Sequence, residues 1–188
     1  MTWRFDNLFL ALFGLVSATS VPSFAGPEKA EMTPEKLARR CFVWQKQNCD
    51  KATEAADRQL VKSVAAKSGT EPAIQEILKS AWKYLNEVKN PAQALVRFNQ
   101  VLILNEKNGE GWLGAGQSYL TLHLFAEAEP LLRKSMSLSP SRPEGPLALA
   151  WLNAAAKKDY GVAKKFYAEA LKRGAPPDGE LEKILKAH

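Results

Sequence analysis

The sequence predicts an all-α chain arranged as a stacked array of helix hairpins. Two stretches repeat each other 34 residues apart: Trp82, Ala94, Phe98, Leu102 and Leu104 return in place as Gly116, Ala128, Leu132, Met136 and Leu138. Each stretch holds two apolar patterns of helical period, and a repeat of that length with two helices per unit indicates a hairpin array. Caps and breakers fall between the patterns. Asn90-Pro91 opens one helix, Gly174 closes another, Pro176-Pro177 stops its continuation and Asp178 opens a short last one. Gly and Ala at fixed places let helix axes approach to ~8–10 Å while large residues fill the gaps. A single hairpin cannot bury its apolar face, so about three are needed in a row.

The whole chain sets the frame. Its 188 residues suit one modest domain, and 46% hydrophobic residues supply an ordinary core. Residues 1–25 look like a signal peptide: Arg4, an apolar run from Leu8 to Val16 interrupted only by Gly14, and Ser23-Phe24-Ala25 before Gly26. The run is shorter than the ~20 residues that span a bilayer, and no Cys sits near the cleavage point for a lipid anchor. The mature chain is then 26–188, periplasmic or secreted. Its net charge stays at +6, because the segment carries one cation and one acid, Arg4 and Asp6. Export and the alternation of Lys with Glu argue for solvated helix faces and against nucleic acid. A membrane enters only through the signal segment, if it stays uncleaved.

Residues 26–71 read as an N-terminal helical segment. Thr33 with Pro34 and Glu35 makes a helix start, with Leu37, Cys41 and Val43 or Trp44 at helical spacing to about Gln47. Asp50 caps a second helix to about Lys67, and Ser68-Gly69-Thr70-Glu71-Pro72 is the breaker before the array. The array and its capping helix occupy 72–188, in units 75–108, 109–142 and 143–176. In the third, Ala163, Tyr167, Ala170 and Leu171 are shifted by 35 residues from the second, so one residue is inserted near Lys157 to Tyr160. Pro130, inside the second helix of the middle unit, predicts a local bend or a late start.

The middle unit resembles a tetratricopeptide repeat (TPR). Trp112, Ala115-Gly116, Tyr119, Ala128, Leu132, Ser135 and Pro140 stand where that family has a large residue, Leu-Gly, Tyr, Ala, Phe, Ala and Pro. The first unit keeps Ala94 and Phe98 but has Trp82 in the Gly place, which implies wider helix spacing or a shifted register. The third keeps Ala163, Tyr167 and Ala170, with Ala150 in the Gly place. The resemblance covers about residues 75–176. It implies a right-handed superhelical array of about three hairpins, with the N-terminal helical hairpin and the C-terminal capping helix at its ends. It also implies a groove lined by the first helices: Leu113, Gln117, Leu120 and Thr121 from the second unit, Leu147, Trp151 and Ala154 from the third. Apolar residues in such a groove suit an amphipathic helix or an extended apolar peptide.

Other chemistry is sparse. Gly109-x-Gly111-x-x-Gly114 spells a dinucleotide fingerprint but follows a helical pattern where that loop needs a strand. A turn and helix start explain it. His123 and His188 have no Cys or acid at metal spacing, so no metal is expected, and His123 falls in an exposed turn. Cys41 and Cys49 in an exported chain suggest a structural disulfide. On one continuous helix they would stand about 12 Å apart, beyond bridging distance, so a bridge requires a turn near Asn48. A redox pair, two separate thiols or a dimer link are the alternatives.

Together these features point to a binding scaffold and not an enzyme: an adaptor of the bacterial envelope that holds a segment of another protein in its groove and assists complex assembly, with no cofactor. The alternative class is a thiol-dependent or cofactor-handling accessory protein working through Cys41 and Cys49.

Overall fold

In a computed structural model the chain is described at residues 37, 40–45 and 50–188. They lie in the compact unit Met32–His188. The signal-like residues 1–25, the helix start at Thr33 and Cys49 fall outside the described residues. Those described form an all-α structure of α1 (Lys51–Ser68), α2 (Thr70–Asn86), α3 (Pro91–Leu104), α4 (Gly109–Thr121), α5 (Phe125–Leu138), α6 (Glu144–Trp151), α7 (Tyr160–Lys172) and α8 (Gly179–Lys186). A π-helical turn, Leu152–Lys157, continues α6. Side-chain caps start most of them: Asp50, Asn90, Asn108, Asp159 and Asp178 each accept a backbone N–H from the first turn.

Each helix from α2 to α7 packs on its neighbours in the chain, α2 also touches α4, and α4 touches α6. The units repeat in their turns as well. Lys89, His123 and Lys158 all have left-handed backbone, with φ of 58°, 60° and 57°. They fall 34 and 35 residues apart, each one residue before the N-cap of α3, α5 or α7. The extra residue of the third unit is absorbed in the π-helical turn, where the Asn153 side chain donates to the carbonyl of Leu149 at 2.8 Å. A wider turn lodges one inserted residue without ending the helix.

The main core is built around α3, ten of whose fourteen residues are buried. Its Phe98 is fully buried, with the Trp82 ring edge-on at 4.8 Å and Gly114 beneath it. Trp82 itself is only partly buried, while Ala81 beside it is fully so. The register of α2 is therefore rotated by one residue, and Ala81 takes the close crossing that Trp82 would obstruct.

The glycines of α4 are packing devices. A Cβ on Gly114 would lie 2.1 Å from the Phe98 ring, one on Gly111 2.9 Å from Leu102, and one on Gly116 2.6 Å from Leu132. Two neighbouring helices, α3 and α5, thus press on opposite flanks of α4, and what precedes Gly109 is a helix and a turn. In α5, the helix starts at Phe125 with the exposed Pro130 inside it, so the late start expected from that proline does not occur.

The expected helix from Thr33 to Gln47 is corrected in its described part. Residues 40–45 form a turn with isolated bridges, Arg40 to Asp50 and Phe42 to Gln45. Side chains of the array outcompete helical hydrogen bonds there. The Val43 N–H donates to Asn99 Oδ1 at 2.8 Å, and Arg40 donates to both carboxylate oxygens of Asp57 at 2.7 Å. Gln100 Nε2 adds a third bond to Asp57, at 3.2 Å. Phe42 stacks on Trp44, which meets Trp112 and Tyr119. Burial raises the pKa of the Tyr119 hydroxyl above the usual phenol value.

Gly114→Ala overfills the Phe98 site and lowers unfolding free energy by roughly 1–3 kcal/mol despite its better helix propensity. Gly161→Ala, with only Asp159 Oδ1 near at 3.6 Å, is neutral or stabilising by about 0.5 kcal/mol. Chemical denaturation measures both, and equal effects at the two sites would contradict the packing role. Asp57→Ala removes two charged hydrogen bonds of the buried Arg40 and costs about 3–5 kcal/mol in the same denaturation experiment, whereas the paired change Arg40→Met with Asp57→Leu recovers most of it.

Candidate interaction surface

The first helices α2, α4 and α6 are linked by a chain of polar side chains. Trp82 of α2 donates from Nε1 to Glu110 Oε1 of α4 at 2.7 Å. Glu110 Oε2 accepts from Arg142 Nη1 at 3.1 Å, and Arg142 also bonds both carboxylate oxygens of Glu144 in the first turn of α6. These bonds hold the Arg142 pKa above its ordinary value, Glu144 contributing more than Glu110. Lys79 and Lys83 of α2 are exposed beside this chain in sequence.

The expected groove residues divide by burial. Gln117 and Leu120 are half-buried and Thr121 is exposed on α4, its hydroxyl donating to the carbonyl of Gln117 at 3.0 Å. Leu147 and Trp151 of α6 are half-buried and pack on a second apolar cluster with Phe166 and Ile184. Leu113 and Ala154 present no surface. Leu113 lies in the main core and Ala154, within the π-helical turn, lies in the second cluster. The structure therefore leaves Gln117, Leu120, Thr121, Leu147 and Trp151 with accessible surface.

Trp151 is committed at one edge. Its Nε1 donates to Asp178 Oδ2 at 2.8 Å, while Asp178 Oδ1 caps α8 through Glu180 and Leu181. The Asp178 N–H in turn donates to the Tyr167 hydroxyl at 2.8 Å, and that hydroxyl donates to Glu182 at 3.0 Å. Asp178 thus ties α6 to α8 through its carboxylate and α7 to both through its backbone N–H. On the far side of α6, Lys157 and Arg133 share Glu129, which holds that carboxyl below its usual range, Lys157 contributing most.

No family model and no curated protein matches this sequence. Among the described residues, no group of His, Cys, Asp and Glu is arranged to hold a metal ion, and no helix is long and apolar enough to cross a membrane. His123 is exposed in its turn, edge-on to Phe125. Cys41 is buried beside the Arg40–Asp57 pair, and its pairing with Cys49 rests on a residue outside those described.

Sequence reasoning did not find the Trp82–Glu110–Arg142 chain or the Asp178 junction. Each partner sits about a repeat away, 28 or 32 residues for the first two and 27 for Trp151, so only the stacking of units brings them together.

Replacing Asp178 with Ala removes a cap and the Trp151 partner at once. We expect a loss of about 0.5–2 kcal/mol, together with a red shift of tryptophan emission. An unchanged emission maximum would show that Trp151 does not depend on this contact.

Proposed function

We propose that this protein is an adaptor that binds a segment of another protein along its first helices, in the manner of a TPR array, and works in the bacterial envelope. The observation that carries the reading is the repeat of three left-handed turns at Lys89, His123 and Lys158, each between the two helices of a pair, combined with first helices that touch across pairs. Three hairpins stacked in this way form a continuous core and an extended concave face. In this reading the array is a right-handed superhelix, and the signal-like residues 1–25 direct it to the periplasm or outside the cell. The proposed disulfide of Cys41 and Cys49 would hold the N-terminal segment there.

The accessible groove residues set the client chemistry. Leu120, Leu147 and the half-buried Trp151 favour an apolar side chain, and Gln117 and Thr121 offer hydrogen bonds beside it. Lys79 and Lys83 favour an acidic continuation on α2. Nothing in this arrangement calls for bond-making chemistry, so the role proposed is holding and alignment.

The experiment is capture by site-specific photocrosslinking from position 117 in cells, with and without Leu120→Glu. Leu120 is only half-buried, so the folded state tolerates the change, and circular dichroism checks it. The expected result is one dominant adduct that falls roughly tenfold with Leu120→Glu, the loss equivalent to about 1.4 kcal/mol. Adducts that persist unchanged in the folded variant would overturn the groove assignment.

A further inference from the structure

The exposure of one repeated position changes along the array. Leu102 in α3 is 1% exposed, Met136 in α5 is partly buried, and Leu171 in α7 is 38% exposed. All three occupy the same place, 34 and then 35 residues apart. The cause lies nine residues further on. Gly111 and Gly145 follow the first two, and both are buried against them: a Cβ on Gly111 would meet Leu102 at 2.9 Å, and one on Gly145 would meet the Met136 backbone at 3.4 Å. After Leu171 the place belongs to Glu180, which is exposed, and Gly179 beside it has nothing within 4 Å. A charged side chain thus stands where the earlier units have glycine, and the Tyr167 hydroxyl of α7 accepts instead from the Asp178 N–H at the start of α8. Its later turns return to register, since Leu181 and Leu185 are buried in the places of Trp112 and Gly116.

What remains is a cleft of about 490 Å³ between α7 and α8, lined by Lys164, Tyr167, Leu171, Glu182, Leu185 and Lys186. It is where a second helix would lie if α8 were the first helix of another pair. No helix among the described residues fills it. Its rim is basic. Lys164, Lys165, Leu171 and Lys172 fall on one exposed stripe of α7. The ion pairs of these two helices are Arg173–Glu169 and Lys186–Glu182, which leaves the three lysines of the stripe without a carboxylate among the described residues.

We propose that the α7/α8 cleft is a second docking surface, distinct from the first-helix groove, and that it takes an acidic amphipathic helix of another protein. The helix would centre its apolar stripe on the exposed Leu171, beside the edges of the buried Tyr167 and Leu185 that line the cleft, and set its carboxylates against Lys164, Lys165 and Lys172. Apolar burial supplies the attraction and the charges fix partner choice and orientation. A second copy of this chain is the poorer occupant: its net charge is +6, and the outer face of its own α1, with Arg58 and Lys62, is basic as well.

The test uses the full chain and two synthetic helical peptides that share a leucine stripe, one flanked by glutamates and the other by lysines. Fluorescence anisotropy is expected to show binding of the glutamate peptide alone, weakened by salt. Leu171→Lys, a surface change whose folding circular dichroism verifies, reduces affinity roughly tenfold. The double change Lys164→Glu with Lys172→Glu transfers preference to the lysine peptide. Leu120→Glu leaves peptide binding intact, which separates this surface from the groove. Equal binding of both peptides, binding of neither, or indifference to Leu171→Lys overturns the proposal. So does binding confined to phosphatidylglycerol vesicles, which would make the stripe a membrane contact.

Discussion

The ring of Phe98 occupies the space that any side chain at position 114 would need. That contact fixes how closely α3 and α4 cross, and the rest of the array is arranged from it. With α3 against one flank of α4 through Gly111 and Gly114, the other flank, at Gly116, is left for Leu132 of α5. Three helices then share one tight layer, in which Phe98, Leu102 and Leu132 press against the glycines of α4. Dispersion falls off steeply with separation, so a gap of even 1 Å at such a crossing forfeits much of the contact energy. The Trp82 ring closes the layer from the side, edge-on to Phe98, and its Nε1 reaches Glu110. Trp82, which stands in the glycine place of the repeat, is thereby used twice, as a lid on Phe98 and as a polar link to the next first helix.

A second constraint operates at the N-terminal side. Arg40 and Asp57 are both nearly enclosed, with side-chain exposures of 9% and 6%. Their mutual attraction has to offset the desolvation of two charges, and it does so with help from Gln100. Such a pair contributes little net stability but strongly selects one arrangement, because any other leaves a buried charge without its partner. The same segment gives the Val43 N–H to Asn99, stacks Phe42 on Trp44 and sets Trp44 against Trp112 and Tyr119. Arg40 to Phe42 are thus buried, and the segment is packed on the helices and not a loosely attached leader.

The helices were largely legible because their boundaries are written in local chemistry. Asn90, Asp159 and Asp178 cap, Pro91 sits in an opening turn, and Gly174 with φ of 92° ends α7. Local chemistry also explains the failures. The stretch around Leu37 and Cys41 has helical spacing, but its bonds go to Asp57 and Asn99, 17 and 56 residues away from their partners, and no window on the sequence contains them. Lys89, His123 and Lys158 carry no mark of left-handed backbone, which glycine or asparagine would have signalled. Of the candidate groove residues, Leu113 and Ala154 are hidden because a helical wheel does not show how far neighbouring helices wrap a given face.

The third pair shows how the array tolerates change. An extra residue in an α-helix would rotate everything after it by about 100° and turn an apolar stripe toward water. Here the π-helical turn takes up the residue before Lys158, so Ala163, Tyr167 and Ala170 still reach the core. The Asn153 side chain occupies the carbonyl of Leu149, and Lys157 reaches across to Glu129 of α5. Burial continues through α6 as far as Ala154, and the register of α7 is kept. What changes is the surface: the turn carries Lys157 and Lys158 outward, while the end of α7 meets an α8 with Glu180 at the place that Gly111 and Gly145 hold in the earlier units. Conserving the inner register while relaxing the outer one is how a repeat array acquires surfaces that differ from unit to unit, and differences of that kind are what a binding scaffold needs in order to tell one partner from another.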